Sequence, residues 1–264
     1  MLDSFSLTGK HAVVCGSTQG IGKAIAFAFA ELGASVTLMA RNEEAMHLIR
    51  EQLPAERSQK HRYLIADFSN WENVRRIAWE YAEAHGPVHI LVNNTGGPPA
   101  GPAFEGTAEQ YLNAFSQHLV CNQSLVQAFA GGMREANSGR IITIISTSVI
   151  TPIKNLGVSN TIRAAVANWG RTLANELGPF GITVNNLLPG YTDTERLRSL
   201  FRGRAERNAT SADEERAAAM RDIPLRRLAD AKEIAAVAAF LASPAASYVS
   251  GVNLPVDGGR IATQ

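Results

Sequence analysis

The 264 residues suffice for one α/β sheet clothed on both faces, and a chain of this length buries roughly three-quarters of its unfolded surface without disulfides or metals. Hydrophobic residues make up 45% and charged residues 19%, the proportions of an ordinary soluble globular protein. Lys plus Arg number 25 against 24 Asp plus Glu, so no one-signed field points to nucleic acid or a membrane surface as partner.

Cys15 and Cys121 are far apart and show no metal-ligand spacing, so no metal site is expected. No stretch approaches the roughly 20 apolar residues of a membrane span. The opening Met1-Leu2-Asp3-Ser4-Phe5-Ser6 lacks the basic region and apolar run of a signal peptide, and a cytoplasmic protein is expected.

Short apolar runs alternate with helical patterns along the whole chain. Strands are expected over 12–15, 35–40, 62–66, 89–93, 141–146, 182–188 and 252–256. Ile21, Ile25, Ala28, Phe29 and Leu32 share one helical face, and Ile162, Val166, Trp169 and Leu173 share another. The run Ile141-Ile142-Thr143-Ile144-Ile145 has the unbroken apolar character of a parallel strand covered on both sides. Repeated β-α units imply right-handed crossovers and a single doubly wound, Rossmann-like parallel sheet of about seven strands. One dinucleotide-binding domain over 1–264 is expected. Within it, 194–227 breaks the rhythm as an arginine-rich insertion near the ligand-binding edge of the sheet.

The segment Cys15-Gly16-Ser17-Thr18-Gln19-Gly20-Ile21-Gly22 leaves the first strand and opens the first helix. Gly16 suits a tight turn, Gly20 a close backbone approach to a pyrophosphate, and Gly22 packing of the helix on the sheet. The helix start offers free N–H groups and a positive dipole end. The spacing G-x-x-x-G-x-G differs from the long-chain dinucleotide fingerprint, and a merely structural turn is the competing reading.

In its strand-turn-helix setting this segment resembles the cofactor turn of the short-chain dehydrogenase/reductases. Asn93-Asn94-Thr95-Gly96 resembles the family's N-N-A-G segment, and Asp67, followed by Phe68, its adenine-side Asp. Asn185 through Pro189-Gly190-Tyr191-Thr192-Asp193-Thr194 resembles the N-x-x-x-P-G-x-x-x-T segment beside the nicotinamide. The tail from Pro224 to Pro255-Val256-Asp257-Gly258-Gly259 is most similar to β-ketoacyl carrier-protein reductases. The resemblance implies hydride transfer between a nicotinamide dinucleotide and a carbonyl or alcohol substrate, among them 3-oxoacyl thioesters. It implies cofactor contacts from Gly16, Ser17, Thr18, Gln19, Gly20, Ile21, Gly22, Asp67, Phe68, Asn94, Gly96, Pro189, Gly190, Thr192 and Thr194. It also implies a homotetramer or homodimer built on helices near 117–133 and 161–177.

The end of the second strand reads Met39-Ala40-Arg41-Asn42. A carboxylate there would bind a ribose 2′-hydroxyl, whereas Ala40 removes repulsion and Arg41 suits a 2′-phosphate, so NADP(H) is favoured over NAD(H). Arg41 as a plain solvated loop residue is the alternative.

In the resembled family a Ser, a Tyr and a Lys act with a helical Asn, the Lys cation lowering the phenol pKa from about 10. Ser146 matches the Ser. The Tyr and Lys positions fall on Ser159 and Arg163, and the Asn position on His118. An alkyl hydroxyl is a far weaker acid than a phenol, and a guanidinium is a poor mimic of an ammonium.

Four substitute donors stand open. His118 is expected to face the site, with a space-filling imidazole as the plainer reading. Tyr191 either swings its phenol inward or packs over the cofactor. Lys154 is otherwise a solvated charge, and Ser159 otherwise starts a helix. A dinucleotide-binding sensor or scaffold with a degenerate site is the alternative to an enzyme. The five arginines Arg196, Arg198, Arg202, Arg204 and Arg207 either greet an anionic substrate or pair with Glu195, Glu206 and the acids at 213–215.

Overall fold

The computed structural model describes residues 2–263, so Met1 and Gln264, at the ends of the expected span, lie outside the described residues. Each expected strand appears: β1 (His11–Cys15), β2 (Ser35–Ala40), β3 (Arg62–Ile65), β4 (Ile90–Asn93), β5 (Gly139–Ile144), β6 (Ile182–Pro189) and β7 (Asn253–Val256). All pair in parallel in the order β3-β2-β1-β4-β5-β6-β7. The order reverses between β1 and β4, the switch point at which open α/β sheets bind ligands beyond the strand ends.

Side-chain alternation divides the core between two faces. Ala12 and Val14 of β1 join one cluster with Phe29, Met46 and Ile234, while Val13 and Cys15 join the other with Val74, Leu125 and Phe129. The first face is covered by α1 (Gly20–Glu31), α2 (Glu43–Gln52) and α9 (Ala231–Ala242), and the second by α3 (Trp71–His85), α5 (Cys121–Glu135) and α6 (Gly157–Leu177). Each such fully buried large apolar side chain contributes about 1.5–3 kcal/mol.

Three elements depart from expectation. Strand β5 ends at Ile144 rather than at 146, because Ser146 leaves the ladder and its hydroxyl caps the 3-10 turn Thr147–Val149. Helix α6 begins at Gly157, where a Cβ would stand 2.3 Å from Ala103 Cα, so only glycine lets the chain cross there. Ser159 therefore lies inside the first turn and is not a cap. The helix expected over 117–133 starts as a π-helical segment, Ser116–Val120, joining α4 (Ala108–Phe115) to α5. Such bulges recur at functional sites because they re-aim side chains inward.

Among the described residues no helix is long and apolar enough to cross a membrane.

Candidate functional site

The turn after β1 is shaped by what surrounds it. Gly16 adopts φ 58°, and a Cβ there would stand 2.6 Å from the Asn94 carbonyl oxygen. Asn94 donates its side-chain amide to the carbonyls of Cys15, at 3.2 Å, and Gly16, at 3.4 Å, tying the end of β4 to the turn. Gln19 precedes α1 without making a side-chain cap, so the helix start keeps N–H donors and its positive dipole end for a ligand. Gly20, at φ 54°, is covered by Thr194, whose hydroxyl accepts from Leu197 N–H and starts α7 (Glu195–Asn208).

This turn opens on a cleft of about 810 Å³. Gly16, Thr18, Gln19, Gly20 and Ile21 line it in the middle, and Arg41, Asp67 and Phe68 at one end. Asn94, Gly96, Pro189, Gly190, Thr192 and Thr194 lead to the other end, where Ser146, Ser159 and Arg163 stand together. Asp67 accepts from Ser69 N–H at 3.0 Å, and that bond holds its carboxyl below the usual range. A dinucleotide fits this donor set: a bare helix start for the diphosphate, and an exposed guanidinium at 41 with no carboxylate at 40 for a 2′-phosphate.

Two expected cofactor residues do not reach the cleft. Ser17 is fully buried, its hydroxyl accepting from Met39 N–H at 3.1 Å, because that strand-end amide needs an acceptor. Gly22 faces the sheet, where a Cβ would stand 2.2 Å from the Gly16 carbonyl oxygen. Both shape the turn from behind.

His118 is corrected too. The π-helical segment turns it inward, 4% exposed, behind Thr95, whose hydroxyl lies 2.7 Å from Nδ1. Nε2 is buried without a hydrogen-bond partner. Burial first, and then the Arg163 charge, push its pKa down to about 3. The imidazole is neutral at pH 7 and does not line the cleft, so it is not placed to donate a proton.

A second buried imidazole, His11, lies between Thr37 Oγ1 at 2.9 Å and the Tyr81 hydroxyl at 3.0 Å, and burial lowers its pKa to about 4. Both histidines stay neutral in the native state while the unfolded chain takes up protons below its ordinary value of about 6.5. Their stabilisation is complete above pH 6.5 and is lost as pH falls toward 4 for His11 and 3 for His118. The unfolding free energy from urea titrations should decline across that window by roughly 1.4 kcal/mol per pH unit for each histidine. Replacing His11 with Gln should flatten the slope between pH 6.5 and 4.

At the catalytic end, Ser159 Oγ accepts from Arg163 Nε at 3.2 Å, and Arg163 Nη1 donates to the carbonyls of Ile144, at 3.3 Å, and Ile145, at 2.9 Å. Arg163 thus straps α6 to the end of β5, next to Ser146. Burial, and then the Arg196 charge, pull its pKa down to about 10, and it stays cationic at pH 7. Tyr191 lines the cleft, but its hydroxyl accepts from Arg204 at 3.3 Å and its ring lies 4.8 Å beneath the Arg260 guanidinium. Lys154 is an exposed loop residue outside the cleft lining.

The arginine-rich stretch forms α7 and α8 (Ala212–Arg221). Arg198 pairs with Asp193 and Arg202 with Glu195, solvated ion pairs worth little. Glu215 accepts from Asn208 and Thr210 instead of from an arginine. Arg196 turns the other way, into the cleft, and donates to the Pro98 carbonyl at 2.6 Å. Among the cleft residues that the sequence pattern does not mark are Gly97, Thr95 and Arg260. The doublet Gly96-Gly97 before Pro98-Pro99 was the available signal for the first.

Comparison with known proteins agrees with this geometry. A family model described as enoyl-(acyl carrier protein) reductase matches residues 16–260. The 3-oxoacyl-(acyl-carrier-protein) reductase of Pseudomonas aeruginosa is 35% identical over 256 residues, covering 96% of this chain and 98% of its own. The NADPH-dependent reductase BacG of Bacillus subtilis is 29% identical over 256 residues, covering 97% and 99%. Among solved structures, L-sorbose reductase of Gluconobacter frateurii, in complex with NADPH and L-sorbose, superimposes with a TM-score of 0.91 at 27% identity over 99% of this chain and all of that one.

Proposed function

The chain belongs to the short-chain dehydrogenase/reductase family, and from that premise we propose that it transfers hydride between NADP(H) and a carbonyl or alcohol substrate with a proton donor other than a phenol. The observation that carries this reading is a single cleft running from the Gly16–Ile21 turn to Ser146, Ser159 and Arg163. BacG is named as NADPH-dependent and the sorbose reductase holds NADPH, in keeping with Arg41 beside Ala40.

When bound, the nicotinamide supplies or accepts the hydride. The helix start at Gly20 and the Asn94-tied turn hold its diphosphate, and Arg41 its 2′-phosphate. Ser146 hydrogen-bonds the reacting oxygen. Ser159 delivers the proton: its oxygen is already held by Arg163 Nε, so its own O–H is left to point elsewhere, and the adjacent cation stabilises the alkoxide that forms. The 194–227 region, with α7 along the cleft, covers the substrate. A 3-oxoacyl thioester falls within this carbonyl class.

A second reading, a dinucleotide-binding sensor or scaffold, is favoured by one observation: no phenol–ammonium pair lines the cleft. NADPH fluorescence, followed by NADPH consumption with aldehydes, quinones and β-keto thioesters, separates the two. Binding with turnover supports the enzyme, binding without turnover supports the sensor, and no binding of either nicotinamide defeats both. Arg41→Ala should weaken NADPH about tenfold, the loss of one charge-assisted contact, and leave NADH unchanged. An equal effect on both cofactors would remove Arg41 from 2′-phosphate recognition.

A further inference from the structure

Two arginines meet at the catalytic end with no acid between them. A Cβ at Gly97 would stand 3.4 Å from Arg163 Nη2 and 3.4 Å from Arg196 Nη2, so the two guanidinia border the same small space. Arg163 spends Nε on Ser159 and Nη1 on two carbonyls, which leaves Nη2 without a protein partner. Arg196 spends Nη2 on the Pro98 carbonyl and leaves Nε and Nη1. Neither arginine belongs to an ion pair among the described residues. Glu195, the nearest acid in sequence, is held by Arg202 at 2.6 Å.

Facing cations without a counter-ion repel each other and are poorly compensated for lost water, a cost that an anion between them removes. The donors left over are few, and they lie on two planar groups. That suits a flat, singly charged group with one oxygen for each arginine rather than a phosphate dianion.

We propose that Arg163 and Arg196 form a carboxylate-binding site beside Ser146, and that the substrate is an oxo acid or the corresponding hydroxy acid. The inference rests on the hydride-transfer reading above and narrows its substrate class. Reduction places hydride on the carbonyl carbon and a proton on its oxygen, NADPH becoming NADP+, and the carboxylate is unchanged. Arg163 and Arg196 orient the acid so that its carbonyl oxygen meets Ser146.

The test is calorimetric titration of the NADP+-loaded chain with pyruvate and acetoacetate and with their neutral amides, pyruvamide and acetoacetamide. At least one acid should bind about tenfold or more tightly than its amide, as charge-assisted bonds require. The preference should vanish in Arg196→Gln and partly return in Arg196→Lys, both of which alter a rim residue that the fold tolerates. Equal binding of acid and amide, no binding of either acid, tighter binding of inorganic phosphate, or a preference that survives Arg196→Gln would each overturn the proposal. NADPH fluorescence on the same samples keeps the two readings apart. If NADPH fails to bind, the cofactor reading falls, and titration of the free chain still decides the carboxylate site. If Arg196→Gln weakens NADPH while the acid preference stays, Arg196 serves the cofactor and the proposal fails.

Discussion

Placing a phenol and an ammonium in the cleft, as Ser159→Tyr with Arg163→Lys, should raise turnover of neutral aldehydes by roughly 10²–10⁴-fold, the usual contribution of a positioned general acid. Ser159 is 8% exposed, and it and Arg163 both line the cleft, so a ring at 159 is built at the cleft wall. A phenol starts near pKa 10 and is brought toward neutrality by a cation four residues along the helix, whereas an alkyl hydroxyl starts far higher, so Ser159 beside Arg163 delivers its proton much less readily. The measurement is NADPH consumption at saturating cofactor, for the double variant and each single one. The pH–rate profile should gain a basic limb belonging to the phenol. No gain in the double variant, with NADPH affinity intact, would show that proton delivery does not limit the protein.

Gly22→Val should abolish useful cofactor affinity, with a loss of about 100-fold or more, equivalent to about 2.7 kcal/mol. The cause is a collision with backbone: even a Cβ there would stand 2.2 Å from the Gly16 carbonyl oxygen and 2.7 Å from the Asn94 amide nitrogen. The first neighbour is backbone, and the second, the end of the Asn94 side chain, is tied to the Cys15 and Gly16 carbonyls, so the turn must open. Overpacking of this kind costs about 1–3 kcal/mol of stability, and the melting temperature should fall with it. A variant that keeps NADPH affinity within a few-fold would show that the turn is not the diphosphate site.

The sheet was legible in the sequence because parallel strands covered on both faces write themselves as unbroken apolar runs, as 141–145 does. The glycine turn was legible because its steric demands are local. The catalytic end was legible only as positions. That Ser159 and Arg163 share the cleft with Ser146 followed from chain register, whereas the inward turn of His118 followed from a π-helical segment that leaves no periodic trace. Ser17 was misplaced for a similar reason: the amide that claims its hydroxyl belongs to Met39, on another strand. The meeting of Arg163, Arg196 and Gly97 depends on three distant segments and has no local signature.

The strap from Arg163 to the two carbonyls at the end of β5 constrains how this protein can change. A lysine at 163 lacks the planar fork that serves Ile144, Ile145 and Ser159 together, so Arg163→Lys alone loosens the strand end that presents Ser146. A tyrosine at 159 alone takes away the hydroxyl that orients Nε and gains no compact ammonium to lower its own pKa. Each step is a loss without the other, which makes the pair epistatic. Phenol chemistry at this site therefore requires both positions, 159 and 163, to change together.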